Sequence, residues 1–140
     1  MITLGGTTLL STSLHQMPEE DDFADDPIVI STYGVRGSLE FQDEQHGRLI
    51  RIECTFSGYS TAALLKAARD TVDNYTRTLR DKTLVFTGAG STLTYYHCSL
   101  LKVERLPNDT GRRGPYYDGS GVNGWREELA FHFWQLDNKQ

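Results

Sequence analysis

The sequence predicts a mostly β domain of the α+β class with one amphipathic α-helix, and three observations lead to that prediction. First, the 140 residues are 38% hydrophobic and 24% charged, which is the composition of a single globular domain with a core of its own. Second, most apolar residues alternate with polar ones in segments rich in Val, Ile, Thr, Tyr and Phe, as in strands with one buried face. Third, one stretch in mid-chain, SGYSTAALLKAARDTV at 57–72, has the longer period of a helix.

The first 27 residues are predicted to form an N-terminal arm and an acidic loop ahead of the main body at 28–136. Residues 1–14 are small, polar and weakly apolar. We expect this stretch either to dock on a neighbour through Ile2, Leu4, Leu9 and Leu14 or to form a loose arm.

The stretch PEEDDFADDP, at 18–27, has six acidic residues among ten and a proline at each end. We expect a solvated loop held open by self-repulsion. A Ca²⁺ site and a negative patch facing a lumen or a partner are the alternatives, although the spacing and the glycine of an EF-hand are missing. The candidate interface residues of this segment are Glu19, Glu20, Asp21, Asp22, Asp25 and Asp26.

Strands are predicted on both sides of a polar turn at 43–47, with IVISTYG and VRGSLEF before it and RLIRIECTF after it. In RLIRIECTF a buried face is predicted to alternate with a wet one. The buried face comprises Ile50, Ile52, Cys54 and Phe56. Because Cys54 and Cys98 lie in strand-like segments without CxxC spacing, we expect buried, reduced thiols, with a disulfide between neighbouring strands as the alternative.

The helix is predicted at about 60–81, with Ser60 or Thr61 as the N-cap. Its apolar stripe should pack on the sheet, which is the only apolar surface that a chain of this length offers. The stripe comprises Leu64, Leu65, Ala68, Val72, Tyr75 and Leu79. The opposite, polar side comprises Lys66, Arg69, Asp70, Asp73 and Arg77.

Three further strands are predicted after the helix, and the last two should pair as a long C-terminal hairpin. A short one, TLVF, precedes LTYYHCSLLKVERL, and WREELAFHFWQL ends the domain. In LTYYHCSLLKVERL, one predicted face comprises Leu93, Tyr95, His97, Ser99, Leu101 and Val103. In WREELAFHFWQL, one predicted face comprises Trp125, Glu127, Leu129, Phe131 and Phe133.

A large loop at 107–124, dense in Gly, Asn and Asp, separates these two long strands. Loops of this length in compact domains are usually functional or disordered. Tyrosine and arginine are residue types that contact surfaces favour, and four of them lie near the tip of this loop. The candidate interface residues here are Arg112, Arg113, Tyr116 and Tyr117.

The sequence has no catalytic pattern, so we expect no enzyme activity and no cofactor. GAGST at 88–92 lacks the lysine of a phosphate-binding loop, and the four histidines lack zinc-site spacing. The alternative is that His97 and His132 meet across paired strands near Cys98, which would allow a metal-dependent enzyme. Structural histidines are the simpler interpretation.

The order of elements resembles the β-sandwich-plus-helix fold of phage tail tube proteins and of the N-terminal domain of distal tail proteins. The resemblance covers about 28–136 and rests on RLIRIECTFSG leading into STAALLKAARDTVDNYTRTL, then KTLVF, YYHCSLLKVERL and WREELAFHFWQL. The opening MITLGGTTL is similar to the start of many phage tail-tip proteins. The resemblance to these tail proteins implies an antiparallel β-sandwich whose open side is closed by the helix.

The same resemblance implies a structural virion protein that forms a ring, of six subunits, with itself and with other tail or baseplate proteins. DNA would pass through the lumen without specific binding, and the charge of −5 per subunit, on the order of −30 per ring, would keep it from sticking. No apolar run approaches the roughly 20 residues of a membrane span, and the start is a poor signal peptide. We therefore expect assembly in the host cytoplasm and location in the virion tail.

A monomeric β-barrel that binds a small ligand is the alternative function. Aromatic side chains of the two long strands could line its interior. Those residues are Tyr95, Tyr96, Phe131, Phe133 and Trp134.

Overall fold

The structure is a computed structural model that describes residues 1–12, 15–22, 47–88 and 90–136. The strands are β1 Ile2–Leu4, β2 Thr7–Leu10, β3 Glu19–Glu20, β4 Gly47–Tyr59, β5 Lys82–Gly88, β6 Ser91–Arg105, β7 Tyr116–Tyr117 and β8 Trp125–Leu136. One helix, α1 Ala62–Asn74, runs into a short 3₁₀ turn at Tyr75–Arg77. The strands predicted at 28–41 lie outside the described residues.

All strand pairs are antiparallel and form one sheet in the order β2-β1-β5-β6-β8-β4-β3, with β7 added on β8 beyond the end of β6. The sheet is not closed. A mostly β architecture with one helix is therefore confirmed, and so is the antiparallel pairing of the two long C-terminal strands.

Strand β8 is a central strand of the sheet, because it pairs along most of its length with β4 on one side and with β6 on the other. On one face Leu129, Phe131 and Phe133 are fully buried, and on the other face Ala130 and Trp134 are buried as well. The predicted alternation of β8 is confirmed, as is that of β4. Burial on both faces explains why β8 has so few polar residues in its second half.

The sheet is strongly curved around the core. His15 forms a bridge with Cys54 in β4, while its ring lies 4.5 Å from the ring of Phe86 in β5. The hydroxyl of Tyr95 in β6 donates to Glu20 in β3. Both contacts join strands that are two or more places apart in the sheet order, which requires the sheet to bend toward itself.

The predicted N-terminal arm is wrong for residues 1–10, which are part of the sheet. β1 pairs with β5, and β2 folds back on β1 through Gly5 and Gly6, whose φ angles are 60° and 83°. Two successive positive φ angles are what a tight hairpin turn requires, so the glycine pair is the sequence signal of this hairpin. Ile2 and Leu4 are fully buried in the chain's own core rather than docked on a neighbour.

The predicted face of β6 is wrong after Tyr95 because the strand contains a bulge at His97. Leu84 pairs with Tyr95 but Lys82 pairs with Cys98, so one strand has an extra residue, and His97 takes a φ of 61° to accommodate it. An inserted residue moves the following side chains to the other face. Cys98 and Leu100 therefore face the core. A second register shift, at Leu101, changes the alternation again, so that Val103 also faces the core.

Helix α1 begins where the sequence predicts and ends earlier. The hydroxyl of Thr61 accepts the amide of Leu64 at 3.2 Å, which is an N-cap bond, whereas the helix stops at Asn74 instead of extending to about residue 81. Leu65 and Val72 join the core cluster. Leu64, predicted on the same stripe, is 54% exposed.

The polar side predicted for the helix is wrong at Arg69, which is only 5% exposed. Its Nη1 donates to both carboxylate oxygens of Glu127 in β8, each at 2.9 Å, and Glu127 is fully buried. The charges of the two side chains balance and both are withdrawn from water. This ion pair fastens α1 to the central strand of the sheet.

The two neighbouring leucines of α1 provide a test of this packing. We expect Leu65→Ala to lower the free energy of unfolding by about 2–5 kcal/mol, because it leaves a cavity in the core. Leu64→Ala, the matched control, should change it by less than about 0.5 kcal/mol because its side chain is half exposed. Urea unfolding of the two variants checks this, and equal losses would contradict the placement of the helix.

The buried ion pair provides a second test. Arg69→Met leaves the carboxylate of Glu127 buried without a cation, so we expect a loss of about 3–5 kcal/mol in the free energy of unfolding. The double variant Arg69→Met/Glu127→Leu removes both charges and should recover most of that loss. Lys66→Met, on the exposed side of the helix, is the control. If the double variant were as unstable as Arg69→Met alone, the unpaired charge would not be the cause.

Candidate interaction surface

The first half of the loop between β6 and β8 is organised by Asn108. Its side-chain oxygen accepts from the amide of Thr110 at 2.9 Å, from the Thr110 hydroxyl at 2.6 Å and from the amide of Arg112 at 3.2 Å. The backbone amide of Asn108 donates to the carbonyl of Arg112 at 2.8 Å. An asparagine that mimics backbone groups in this way fixes a turn without a sheet or helix.

The second half of the loop folds back on β8. Tyr117 pairs with Trp125 across β7 and β8, its ring lies 5.9 Å from the indole, and its hydroxyl donates to the carbonyl of Gly121 at 2.9 Å. Asp118 accepts from the amide of Ser120 at 2.8 Å, and hydrogen bonds from the side chain and the amide of Ser120 hold the pKa of the Asp118 carboxyl below its usual value. The loop therefore has a defined shape.

The four candidate residues of the loop differ in exposure. Arg112 and Arg113 are exposed, and Tyr117 is 52% exposed. Tyr116 is partly buried and donates its hydroxyl to Glu128 at 3.2 Å, so it supports the loop rather than offering a contact.

A third arginine belongs to the same surface. Nε of Arg113 donates to the carbonyl of Arg105 at 3.2 Å, which joins the start of the loop to the end of β6. Arg105 is also exposed, and no carboxylate among the described residues lies within ion-pair distance of Arg105, Arg112 or Arg113. We call these three side chains the arginine patch. Sequence reasoning missed Arg105 because it was placed inside a strand.

The acidic segment is held at the edge of the sheet for at least its first residues. Glu19 and Glu20 form β3 opposite Arg51 and Ile50, so the predicted solvated loop is wrong there, although both side chains remain exposed. Glu20 lies 3.4 Å from Nη1 of Arg48. Burial and the carboxylate of Glu20 raise the pKa of Tyr95.

The other candidates of the acidic segment follow β3. The amide of Asp21 donates to the carbonyl of Leu49 at 3.0 Å, and the side chains of Asp21 and Asp22 are exposed. Asp25 and Asp26 lie outside the described residues. In the part of the chain that is described, no three His, Cys, Asp or Glu side chains are placed to hold a metal ion.

Two adjoining concavities lie along residues 15–19, and we call them together the acidic groove. One has a volume of about 530 Å³ and is lined by His15, Gln16, Glu53, Cys54, Thr55, Leu106, Pro107 and Glu128. The other has a volume of about 270 Å³ and is lined by Gln16, Met17, Glu19, Arg51 and Glu53. They share Gln16 and Glu53, and the first residues of the loop form one wall.

The carboxylates of the groove have different local partners. Glu53 accepts from Nη1 of Arg51 at 2.6 Å. Glu128 accepts from the hydroxyls of Thr55 and Tyr116 and has no cation within ion-pair distance in the described structure. Glu19 likewise has none. The groove thus has more negative charge than its own side chains neutralise.

The thiol at the floor of the groove is unsuited to nucleophilic chemistry. Cys54 is free and buried, and burial together with the charge of Glu128 raises the pKa of its thiol far above the ordinary value. Burial raises the pKa of Cys98 to about 12. The prediction of buried, reduced cysteines is confirmed.

The predicted meeting of His97 and His132 is wrong. Nδ1 of His97 lies 2.8 Å from Asp81, whereas Nε2 of His132 lies 2.8 Å from Glu104, and His132 is paired with Lys102 across the sheet. The register of β6 against β8 is the physical reason, because it pairs Cys98 with Gln135 and places His132 opposite Lys102 instead of His97. The two histidines therefore have separate carboxylate partners.

The aromatic residues predicted for an interior ligand site do not surround one cavity. Tyr95, Phe131 and Phe133 belong to the packed core, with the Phe131 and Phe133 rings 6.2 Å apart. Tyr96 is 55% exposed, and Trp134 is buried on the opposite face of β8.

Comparisons with known proteins give no relative: no family model matches the chain, and no curated protein or solved structure is significantly similar to it. Among the described residues, no helix has the length and apolar character needed to cross a bilayer.

The buried thiols provide a test of the groove. We expect neither Cys54 nor Cys98 to react with iodoacetamide at pH 8 in the folded protein, because both are buried and protonated. Both should react in urea, and an added cysteine at the exposed position of Tyr117, in Tyr117→Cys, should react at once. Mass spectrometry counts the labels. Rapid native labelling of Cys54 would mean that the floor of the groove is open to solvent.

Proposed function

We propose that the chain is a structural subunit of a bacteriophage tail. It assembles with itself into a ring of six subunits, which forms part of the tail tube, the distal tail or the baseplate. DNA passes through this ring without specific binding. The observation that supports this most directly is the order of elements: β4 leads straight into α1, then β5 follows, and β6 and β8 pair around a long loop. That order is the basis of the resemblance to tail tube and distal tail proteins.

The packing of the helix on the sheet supports this proposal. In the fold of tail tube and distal tail proteins, one helix closes the open side of a β-sandwich. Here Leu65 and Val72 of α1 belong to the same core cluster as the inner faces of the strands, and Arg69 is joined to Glu127 in the central strand. We infer that the curved sheet and α1 together form the sandwich of a ring subunit.

The two edges of the described sheet support pairing with a neighbour. No described strand lies beyond β2 at one end of the sheet or beyond β3 at the other. An uncovered edge presents unpaired N–H and C=O groups, and pairing between subunits around a closed ring satisfies them in a self-limiting way. The short length of β3 leaves β2 as the better edge for such pairing.

A defined loop favours assembly over catalysis. The loop at 106–124 projects from the hairpin, is fixed by Asn108 and by the pairing of β7, and exposes arginine and tyrosine side chains. A preorganised projection loses little conformational entropy when it meets a partner. Among the described residues, the pKa values of both cysteines are raised and no metal cluster is present, so neither feature competes with this interpretation.

The proposal predicts rings in electron micrographs. Negative-stain images of the purified chain across a concentration series should show rings or short tubes with a central hole, and rotational averaging should give the symmetry. Thr8→Lys, which places a charge on the β2 edge, should raise the concentration needed for assembly by tenfold or more. Thr78→Lys, after the helix, is the control. Single small particles at every concentration would contradict self-assembly.

A further inference from the structure

We propose that the arginine patch of one subunit binds the acidic groove of a second copy of this chain. The inference rests on the proposed self-assembly and names the contact that would hold neighbouring subunits together. The patch comprises Arg105, Arg112 and Arg113, and the groove carries Glu19, Glu53 and Glu128.

Within the described residues, the arginine patch has no counter-charge from its own chain. Residues 105–114 contain three arginines and one aspartate, a net charge of +2 in a chain whose overall charge is −5. All three arginines are exposed, and none has a carboxylate within 4.0 Å in the described structure. A long, flexible cation on a fixed loop is suited to bidentate pairing with a carboxylate.

The groove has carboxylates without cation partners among the described residues, and it is concave. Its two concavities, of about 530 and 270 Å³, lie side by side along residues 15–19. Glu128 is partly buried with hydroxyl donors only, and Glu19 is exposed without a cation among the residues described. Arginine side chains entering the groove would find carboxylates at both ends and an apolar wall at Leu106 and Pro107.

A second copy fits this chemistry better than nucleic acid. A chain with a net charge of −5 repels phosphates at long range, and three arginines are too few for binding through phosphate neutralisation. The complementary acidic surface is present on the same polypeptide. The loop does not neutralise its own groove, because its arginines have no carboxylate partner within the described chain. Pairing between copies satisfies both surfaces.

The geometry of the contact also bears on the form of the assembly. The patch and the groove are different surfaces, so each contact leaves one patch and one groove free. Such heterologous contacts continue from subunit to subunit, and they form a ring when the rotation between neighbours closes and an open filament when it does not. If two copies exchanged loops reciprocally, the result would be a closed dimer, which mass alone distinguishes from a ring.

The test is a charge exchange on the full chain. The patch variant is Arg105→Glu/Arg112→Glu, which leaves the Arg113 bond to the Arg105 carbonyl in place. The groove variant is Glu19→Lys/Glu53→Lys, since both side chains are exposed. A fourth protein combines all the changes. Analytical ultracentrifugation at several concentrations measures assembly, and circular dichroism verifies that each variant is folded. The control is Lys66→Glu, which reverses a charge on the helix, outside the patch and the groove.

We expect each separate variant to raise the concentration for half-maximal assembly by tenfold or more, because like charges then face each other. The combined variant should return to within about threefold of the wild type, since opposite charges face each other again. High salt should weaken the wild type and the combined variant alike.

The outcomes separate the contact from the ring. If the wild type forms rings and the separate variants do so equally well, the contact is wrong and the ring proposal stands. If charge-dependent dimers form and no rings, the contact is right and the ring proposal is wrong. A wild type that stays monomeric at every concentration overturns both.

Discussion

The buried ion pair between Arg69 and Glu127 is the constraint on which the arrangement of this fold depends. The helix has only a narrow apolar stripe, since Leu64 points to solvent and Leu65 and Val72 are its buried residues. Such a stripe alone defines the position of a helix poorly. A carboxylate that is fully buried in the central strand can be accommodated only if its cation is in place, so the pair fixes where α1 lies along β8.

Fixing the helix also determines which surfaces remain for partners. With α1 on the inner face of the curved sheet, the core is covered on that side, and the loop at 106–124 and the segment 15–22 are left at the margins. Segment 15–22 lies along the free side of β4 through the His15–Cys54 bridge and β3. The groove forms where this segment, β4 and the start of the loop meet. It is therefore a consequence of the fold rather than a local feature of one loop.

The sequence predicts those features that follow from local periodicity. The N-cap at Thr61, the alternation in β4 and β8, and the buried cysteines are confirmed because each depends on a few neighbouring residues. The bulge at His97 leaves no mark in the periodicity, since a single inserted residue in a strand that is apolar on both faces looks regular. The sequence predicts Arg69 on the solvent-facing side of the helix because its partner Glu127 is 58 residues away, and only the tertiary structure brings the two charges together.

The arginine patch and the acidic groove share a physical connection that the sequence could not reveal. Arg105 ends β6, and the next two residues, Leu106 and Pro107, form a wall of the groove. The amide of Leu106 donates to the carbonyl of Glu128 at 2.9 Å, so the wall, the groove carboxylate and the start of the loop are parts of one hydrogen-bonded unit. If a neighbour's arginines enter the groove, they press on the segment that positions this subunit's own patch. The groove and the patch of one subunit are therefore adjoining parts of one rigid hydrogen-bonded unit, so that neighbours bound at the two surfaces lie close to each other.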